Sequence, residues 1–321
     1  MAALLLREAD PFGTIDGYTH QDLAERLGTY RETVSHVLGR FRNERLIGVE
    51  PRRIRITNPD GLQARAYPLQ IMVWHEVVND ELAGQPTLVT FCPLCNTAIA
   101  FDRRIEPDGT VYDFGTTGNL RLSDLVMRDR QTESWWQQLS GEAIVSALTG
   151  NALTPVPAQI LGWHAFKDAY PDGDGLSRET GFDRPYGENP YPGYDDINSS
   201  PFLFDGETAG RLPAMKRVVG LTVGGNTVAY PFSALAESGA INDEVGGQPV
   251  AIFHAGGARS ALDSSDIASA RDMGQAGVFL REVDGQTLTF AAADSQFTDA
   301  ETGLLWDITG RALDGPLGAQ R

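Results

Sequence analysis

Three short blocks of this chain return further along at one fixed offset. Ala66-Tyr67-Pro68 recurs as Ala229-Tyr230-Pro231, Asn79-Asp80-Glu81 as Asn242-Asp243-Glu244, and Gly84-Gln85-Pro86 as Gly247-Gln248-Pro249, each 163 residues on. Equal offsets at separate points mark an internal duplication. That constrains the fold more tightly than any local propensity, because whatever architecture one copy takes, the other must also accommodate. Past these blocks a one-residue slip sets Phe91 against Phe253, and Thr132 and Trp136 match Thr302 and Trp306.

Each copy reads as mostly β. In the first, 86–91, 97–101 and 111–114 are short apolar or β-branched runs punctuated by Gly84, Pro107-Asp108-Gly109 and Gly115, the pattern of strands between tight turns. The second copy matches with 250–253, 277–280 and 288–290. Thr132 to Leu139 reads as a short helix or turn carrying Trp135 and Trp136 as core aromatics.

The copies differ where chemistry would sit. Cys92 and Cys95 are the two cysteines of the 321 residues, in Phe91-Cys92-Pro93-Leu94-Cys95-Asn96. The second copy has Ser238-Gly239 against His75-Glu76 and, with the slip, His254 and Gly257 against Cys92 and Cys95. Two cysteines in so long a chain are no disulfide framework, so metal or redox chemistry is the reading of choice. Thiolates three positions apart favour Zn²⁺ or Cu⁺, and the expected ligand set is Cys92, Cys95 and His75, completed by Glu76, His254 or water. A dithiol–disulfide switch and a pair of inert buried thiols are the alternatives. Arg121, Asp124, Asp129 and Arg130 read as an Asp–Arg network holding turns. Gly115-Thr116-Thr117-Gly118 lacks the lysine and spacing of a phosphate loop, so no nucleotide cofactor is expected.

Between the copies, residues 161–215 are rich in Gly, Pro, Tyr and Asp without periodicity. A stretch this long reads as a cover or a wrap-around loop, with Arg178, Arg184 and Tyr186 as candidate contacts to an anionic ligand.

Charge divides the chain. Residues 1–65 hold 10 Arg and 9 acidic residues, whereas the whole chain has a net charge of −17. The acidic remainder should repel nucleic acid, so any DNA contact falls to the head. There, Thr19 caps a predicted helix over 21–27, Gly28-Thr29 breaks it, and a second helix from Tyr30 to about Asn43 sets Val34, Val37, Leu38 and Phe41 on one face. Residues 46–49 and 53–56 read as two strands of a wing. No apolar run approaches the roughly 18 residues of a membrane span. The first residues, which meet Glu8 and Asp10 early, read as no secretory signal. A cytoplasmic protein is expected.

The run Leu23-Ala24-Glu25-Arg26-Leu27-Gly28-Thr29-Tyr30-Arg31-Glu32-Thr33-Val34-Ser35, with the wing, resembles the DNA-binding domain of the Crp/Fnr regulators. That resemblance implies base reading by Arg31 and Glu32. It also places Ser35, His36 and Arg40 along the groove, with Arg52 and Arg53 on the wing. The sensor barrel and dimerisation helix that precede this domain in that family have no counterpart in the short segment ahead of it. The body resembles the family catalogued as domain of unknown function 3179, through Arg65-Ala66-Tyr67-Pro68, Trp74-His75-Glu76-Val77-Val78-Asn79-Asp80, the cysteine run, Phe114-Gly115-Thr116-Thr117-Gly118 and Asp129-Arg130-Gln131-Thr132-Glu133-Ser134-Trp135-Trp136. That family implies no assigned activity, and the second copy lacks a counterpart to 161–166.

The expectation is an α+β chain: a winged helix-turn-helix over 1–63, then a mostly β body of two duplicated modules, 64–160 and 216–321, around the cover. Functionally it reads as a Crp/Fnr-like DNA-binding regulator whose body senses a metal, redox state or small ligand. The alternative is a metal- or thiol-dependent, oxidoreductase-like enzyme with an appended head.

Overall fold

The computed structural model describes residues 4–5, 14–27, 30–43, 47–50, 52–56, 64–82, 84–105, 109–171, 173–283 and 285–313, and within these not the side chains of Glu32, His36, Arg40, Asn43 and Ile56. The fold is mostly β, with helices concentrated at the N-terminus.

In the head, β1 (Thr14–Asp16) precedes α1 (His20–Arg26) and α2 (Arg31–Asn43), followed by β2 (Ile47–Glu50) and β3 (Arg53–Ile56). Thr19 and Asp22 form a reciprocal capping box, Thr19 Oγ1 accepting from the Asp22 amide and Asp22 Oδ2 from the Thr19 amide, which satisfies two otherwise orphaned donors. The strands form an antiparallel sheet in the order β1-β3-β2. It closes with both helices over Ile15, Leu23, Val34, Leu38, Phe41, Ile47 and Ile54.

Residues 64–156 open with β4 (Arg65–Ala66) and α3 (Leu69–His75). There follow β5 (Val77–Leu82), β6 (Gln85–Cys92), β7 (Thr97–Asp102), β8 (Arg104–Ile105), β9 (Thr110–Val111), β10 (Phe114–Arg121), β11 (Asp124–Asp129), β12 (Trp135–Gln137), β13 (Ala143–Val145) and β14 (Thr154–Val156). Two four-stranded sheets result, β14-β7-β6-β5 and β10-β11-β12-β13. Their facing side chains make one core of Leu88, Cys92, Phe101, Phe114, Leu125, Met127 and Trp136. The Thr132–Leu139 helix or turn expected from sequence is in fact centred on strand β12. Trp135 pairs with Arg128 and Trp136 with Met127 across β11, and this satisfies backbone groups that an isolated helical turn of so few residues could not.

The linking segment is less featureless than its composition suggests. It contains α4 (Trp163–Ala169), and β15 (Asp174–Gly175) pairs in parallel with β4. Beyond it lie β16 (Val218–Val223), β17 (Asn226–Pro231), α5 (Phe232–Ser238), β18 (Ala240–Val245), β19 (Gln248–Ala255), β20 (Gln275–Leu280), β21 (Glu282–Val283), β22 (Gln286–Thr287), β23 (Phe290–Ala293), β24 (Gln296–Asp299) and β25 (Leu305–Trp306). Sheets β18-β19-β20 and β23-β24-β25 enclose Phe253, Phe290, Phe297 and Trp306. Phe253 stacks on Phe297 with ring centroids 4.0 Å apart.

Individual hydrogen bonds recur between the two stretches, the first of them at the offset of 163 residues. Tyr67 Oη donates to Asp80 Oδ2 at 2.6 Å, and Tyr230 Oη to Asp243 Oδ2 at 2.8 Å. The Asn79 amide brackets the backbone of Phe114 as that of Asn242 brackets Phe290. Asp129 receives Thr132 Oγ1 and Trp136 Nε1; Asp299 receives Thr302 Oγ1 and Trp306 Nε1.

The register also corrects the one-residue slip. Val77 pairs with Thr90 and Ala240 with Phe253, both at offset 163, and the Phe91 amide donates to Glu76 O as the His254 amide donates to Gly239 O, each at 2.8 Å. His254 therefore stands in the place of Phe91, and Ala255, not His254, in the place of Cys92. A slip by one residue would have turned every side chain to the opposite face. Phe91 packs outward against Leu262 and Ile267, whereas Phe253 packs inward.

Candidate functional site

The hairpin between β6 and β7 carries the cysteines. Asn96 adopts a left-handed backbone (φ 49°), which its short polar side chain tolerates, and its amide donates to Pro93 O. This tight loop turns the Cys95 amide onto Cys92 Sγ at 3.3 Å. A second hairpin approaches from the facing sheet. Leu122 and Ser123 both have positive φ, 53° and 67°, the primed turn that matches strand twist. It delivers Asp124 into the core.

The two hairpins meet at their tips. Cys95 Sγ lies 3.2 Å from Asp124 Oδ1, and the donor atoms of Cys92, Cys95 and Asp124 are all within 4.8 Å of one another. Gln138, in the turn just after β12, adds its Oε1 at 4.0 Å from Cys95 Sγ. Cys92 is 1% exposed, Asp124 3% and Gln138 0%. The hydrogen bond to Cys92, burial and the Asp124 carboxylate together push the Cys95 thiol far above the usual thiol range, so without a cation it is a neutral S–H donor to Asp124. A bound cation reverses that preference by favouring thiolate.

The other sequence-derived ligands fall elsewhere. His75 ends α3 with Nε2 2.5 Å from Tyr186 Oη, which in turn contacts Thr180 Oγ1, and Phe182 tilts against the imidazole. Burial and the nearby Arg184 lower its pKa. Glu76 caps the same helix at φ 60°, its carboxyl raised by burial. His254 meets the ring of Phe232 edge-on at 5.4 Å, and burial lowers its pKa. None of the three joins the cysteine–aspartate cluster. The expected Asp–Arg turn network is also replaced: Arg121 donates to Gln137 Oε1, while Asp129 serves Thr132 and Trp136.

The segment between the halves runs over this region. Trp74 Nε1 donates to Glu188 O, Tyr191 and Tyr194 pack on Phe91 and its neighbours, and Ser123 Oγ donates to Phe202 O beside Asp124. The phenol of Tyr191 is pushed up chiefly by burial, with the nearby Glu76 carboxyl adding to it. Among the residues expected to meet an anion, Arg178 donates to Gln70 Oε1, Tyr186 is tied to His75, and Arg184 is exposed.

In the head, Arg31 and Arg52 are exposed. Ser35 Oγ is engaged by His20 Nδ1 at 2.8 Å, and Arg53 is paired to Asp16 through two hydrogen bonds, so neither is unencumbered for phosphate. The side chains of Glu32, His36 and Arg40 lie outside the described residues. Among the described residues no helix is long and apolar enough to cross a membrane.

Two family models match the chain. A Crp-like helix-turn-helix domain covers residues 1–65, and the family described as protein of unknown function (DUF3179) covers residues 54–321. No curated protein and no solved structure gives a match. The chain belongs to the DUF3179 family, and it carries a Crp-like head.

Proposed function

We propose that this DUF3179 member is a DNA-binding transcriptional regulator of the Crp/Fnr-like kind whose acidic body senses a metal through the Cys92–Cys95 pair. The observation that carries the reading is the helix-turn-helix, in which Arg31 stands exposed at the start of the second helix. The β2–β3 hairpin, with Arg52 at its tip and Arg55 exposed, is read as the wing. Residues 1–63 form the DNA-binding unit. Residues 64–160 and 216–321 are read as two copies of one module, on the strength of their recurring hydrogen bonds and register, with 161–215 as the segment between them.

Binding to random duplex DNA at several salt concentrations tests this. A groove-binding head gives log K falling linearly with log salt, by about 0.9 per phosphate contacted. Arg31→Ala should weaken binding by about 1–3 kcal/mol if it reads a base edge. Salt-independent or undetectable binding by the folded chain rules the reading out.

A metal- or thiol-dependent enzyme is favoured by one observation, the strained Glu76. Its φ of 60° and ψ of −34° are unfavourable for a side-chain-bearing residue, and its carboxyl is raised by burial. Such strain concentrates at working sites.

A further inference from the structure

The geometry points to a four-donor site, Cys92 Sγ, Cys95 Sγ, Asp124 Oδ1 and Gln138 Oε1, for a borderline divalent cation of the zinc class. The inference builds on the reading of the cysteine pair as the sensing site and names its ligands and its ion. Three of these donors already converge within 4.8 Å. Tetrahedral bonds of about 2.0–2.3 Å to oxygen and sulfur imply ligand-to-ligand separations of about 3.3–3.8 Å. Cys95 Sγ to Asp124 Oδ1 at 3.2 Å and Cys95 Sγ to Gln138 Oε1 at 4.0 Å bracket that range.

Gln138 is the independent observation. Its Nε2 donates to Thr90 Oγ1 at 2.9 Å and to Thr97 O at 3.2 Å. A carbonyl oxygen can only accept, so the amide cannot be flipped, and Oε1 must face the cysteines. The side chain is fully buried, and among the described residues the one hydrogen-bonding approach to Oε1 is that of Cys95 Sγ at 4.0 Å. A buried amide oxygen without a strong donor is costly to keep, and a cation at the centre of the four donors supplies the missing partner.

The surrounding groups fix the donors before any ion arrives. The Leu139 amide holds Asp124 Oδ2 at 3.0 Å, and the Cys95 amide holds Cys92 Sγ at 3.3 Å. Two sulfurs with two oxygens suit Zn²⁺. Cu⁺ prefers an all-soft set, and Mg²⁺ and Ca²⁺ require six or more oxygens. With four protein donors no coordination position is left for water, which fits a sensing or structural ion and not a hydrolytic one.

Co²⁺ titration of the purified full chain under anaerobic, reducing conditions tests the donor set, with thermal unfolding as the control for folding. The expected result is one Co²⁺ per chain, with thiolate-to-metal charge transfer and the intense visible bands of a tetrahedral ion. Asp124→Asn keeps an acceptor for the Leu139 amide, and Gln138→Met keeps the side-chain volume. Each should weaken Co²⁺ binding by at least about 10-fold. If charge transfer appears but neither substitution changes affinity or spectrum, the oxygen donors are wrong while the cysteine reading stands. If the wild-type chain shows no charge transfer, the site itself is overturned, leaving the DNA-binding reading of the head untouched.

Discussion

Residues 64–156 and 218–306 repeat several contacts and differ most where β6 and β19 end, at Cys92 and at Ala255. Both place a helix after Pro68 or Pro231, send an asparagine to bracket a phenylalanine backbone, and bury an aspartate under a threonine and a tryptophan. At the end of the central strand the first half has Cys92 and Cys95, and the second has Ala255 and Ala258 at the same offset. At the helix cap the first half has Glu76 at φ 60° and the second has Gly239 at φ 67°. The second stretch has glycine at the cap, and the connection 256–274 between β19 and β20 where the first has the tight cysteine hairpin. The donor-bearing residues at these positions, Glu76, Cys92 and Cys95, all lie in the first stretch.

If the scaffold is common, damage to it should be symmetric. Trp136 is fully buried and Trp306 8% exposed, and each is anchored by a carboxylate. Trp136→Ala and Trp306→Ala should each cost about 3–5 kcal/mol by urea denaturation. A loss confined to one half would break the equivalence.

How much of this is legible in the sequence depends on distance along the chain. The equal offsets lead directly to the two β5–β6-type hairpins, because Gly84 and Gly247 set the turn and the pairing follows. The head is legible for a similar reason: its signals, from the Thr19 cap to the β2–β3 hairpin, are local. At Phe91 side-chain similarity misleads where strand register decides, since two phenylalanines one step out of phase face opposite sides of a sheet. Asp124 was visible as a residue but not as a partner of Cys95. Their contact depends on two hairpins folding across a sheet-to-sheet core, and no periodicity encodes that. Gln138 carried no signal either, because glutamine beside an apolar strand is ordinary. The pairing of His75 with Tyr186, 111 residues away, was equally hidden.

The cap offers a reciprocal test. A Cβ on Gly239 would lie 2.4 Å from Ala292 Cβ, in addition to the unfavourable φ. Gly239→Ala should therefore destabilise by about 1–3 kcal/mol. Glu76→Gly should do the opposite, raising stability by about 1 kcal/mol in thermal unfolding, because it relieves strain and removes a buried carboxyl. A destabilised Glu76→Gly chain would mean that Glu76 holds the fold and would remove the case for a functional carboxylate there.

The smallest effect concerns acid. Burial pushes the Asp299 carboxyl up, but hydrogen bonds from Thr302 and Trp306 outweigh it and hold the group below its ordinary value of 3.8. A depressed folded-state pKa contributes stability that is present above the ordinary value and lost as pH falls through the folded one. Asp299→Asn should accordingly flatten the dependence of unfolding temperature on pH below about pH 4, and an unchanged acid limb would deny Asp299 that role.

The difference between the halves matters to the cell only if it reaches the head. The direct measurement is the affinity of the full chain for a random duplex at low salt, by fluorescence anisotropy, with and without one equivalent of Zn²⁺. A change of at least about 5-fold in Kd is expected, the lower end of ordinary allosteric coupling, together with its disappearance in Cys92→Ser. Equal affinities with and without zinc, in protein shown to bind both zinc and DNA, would contradict it.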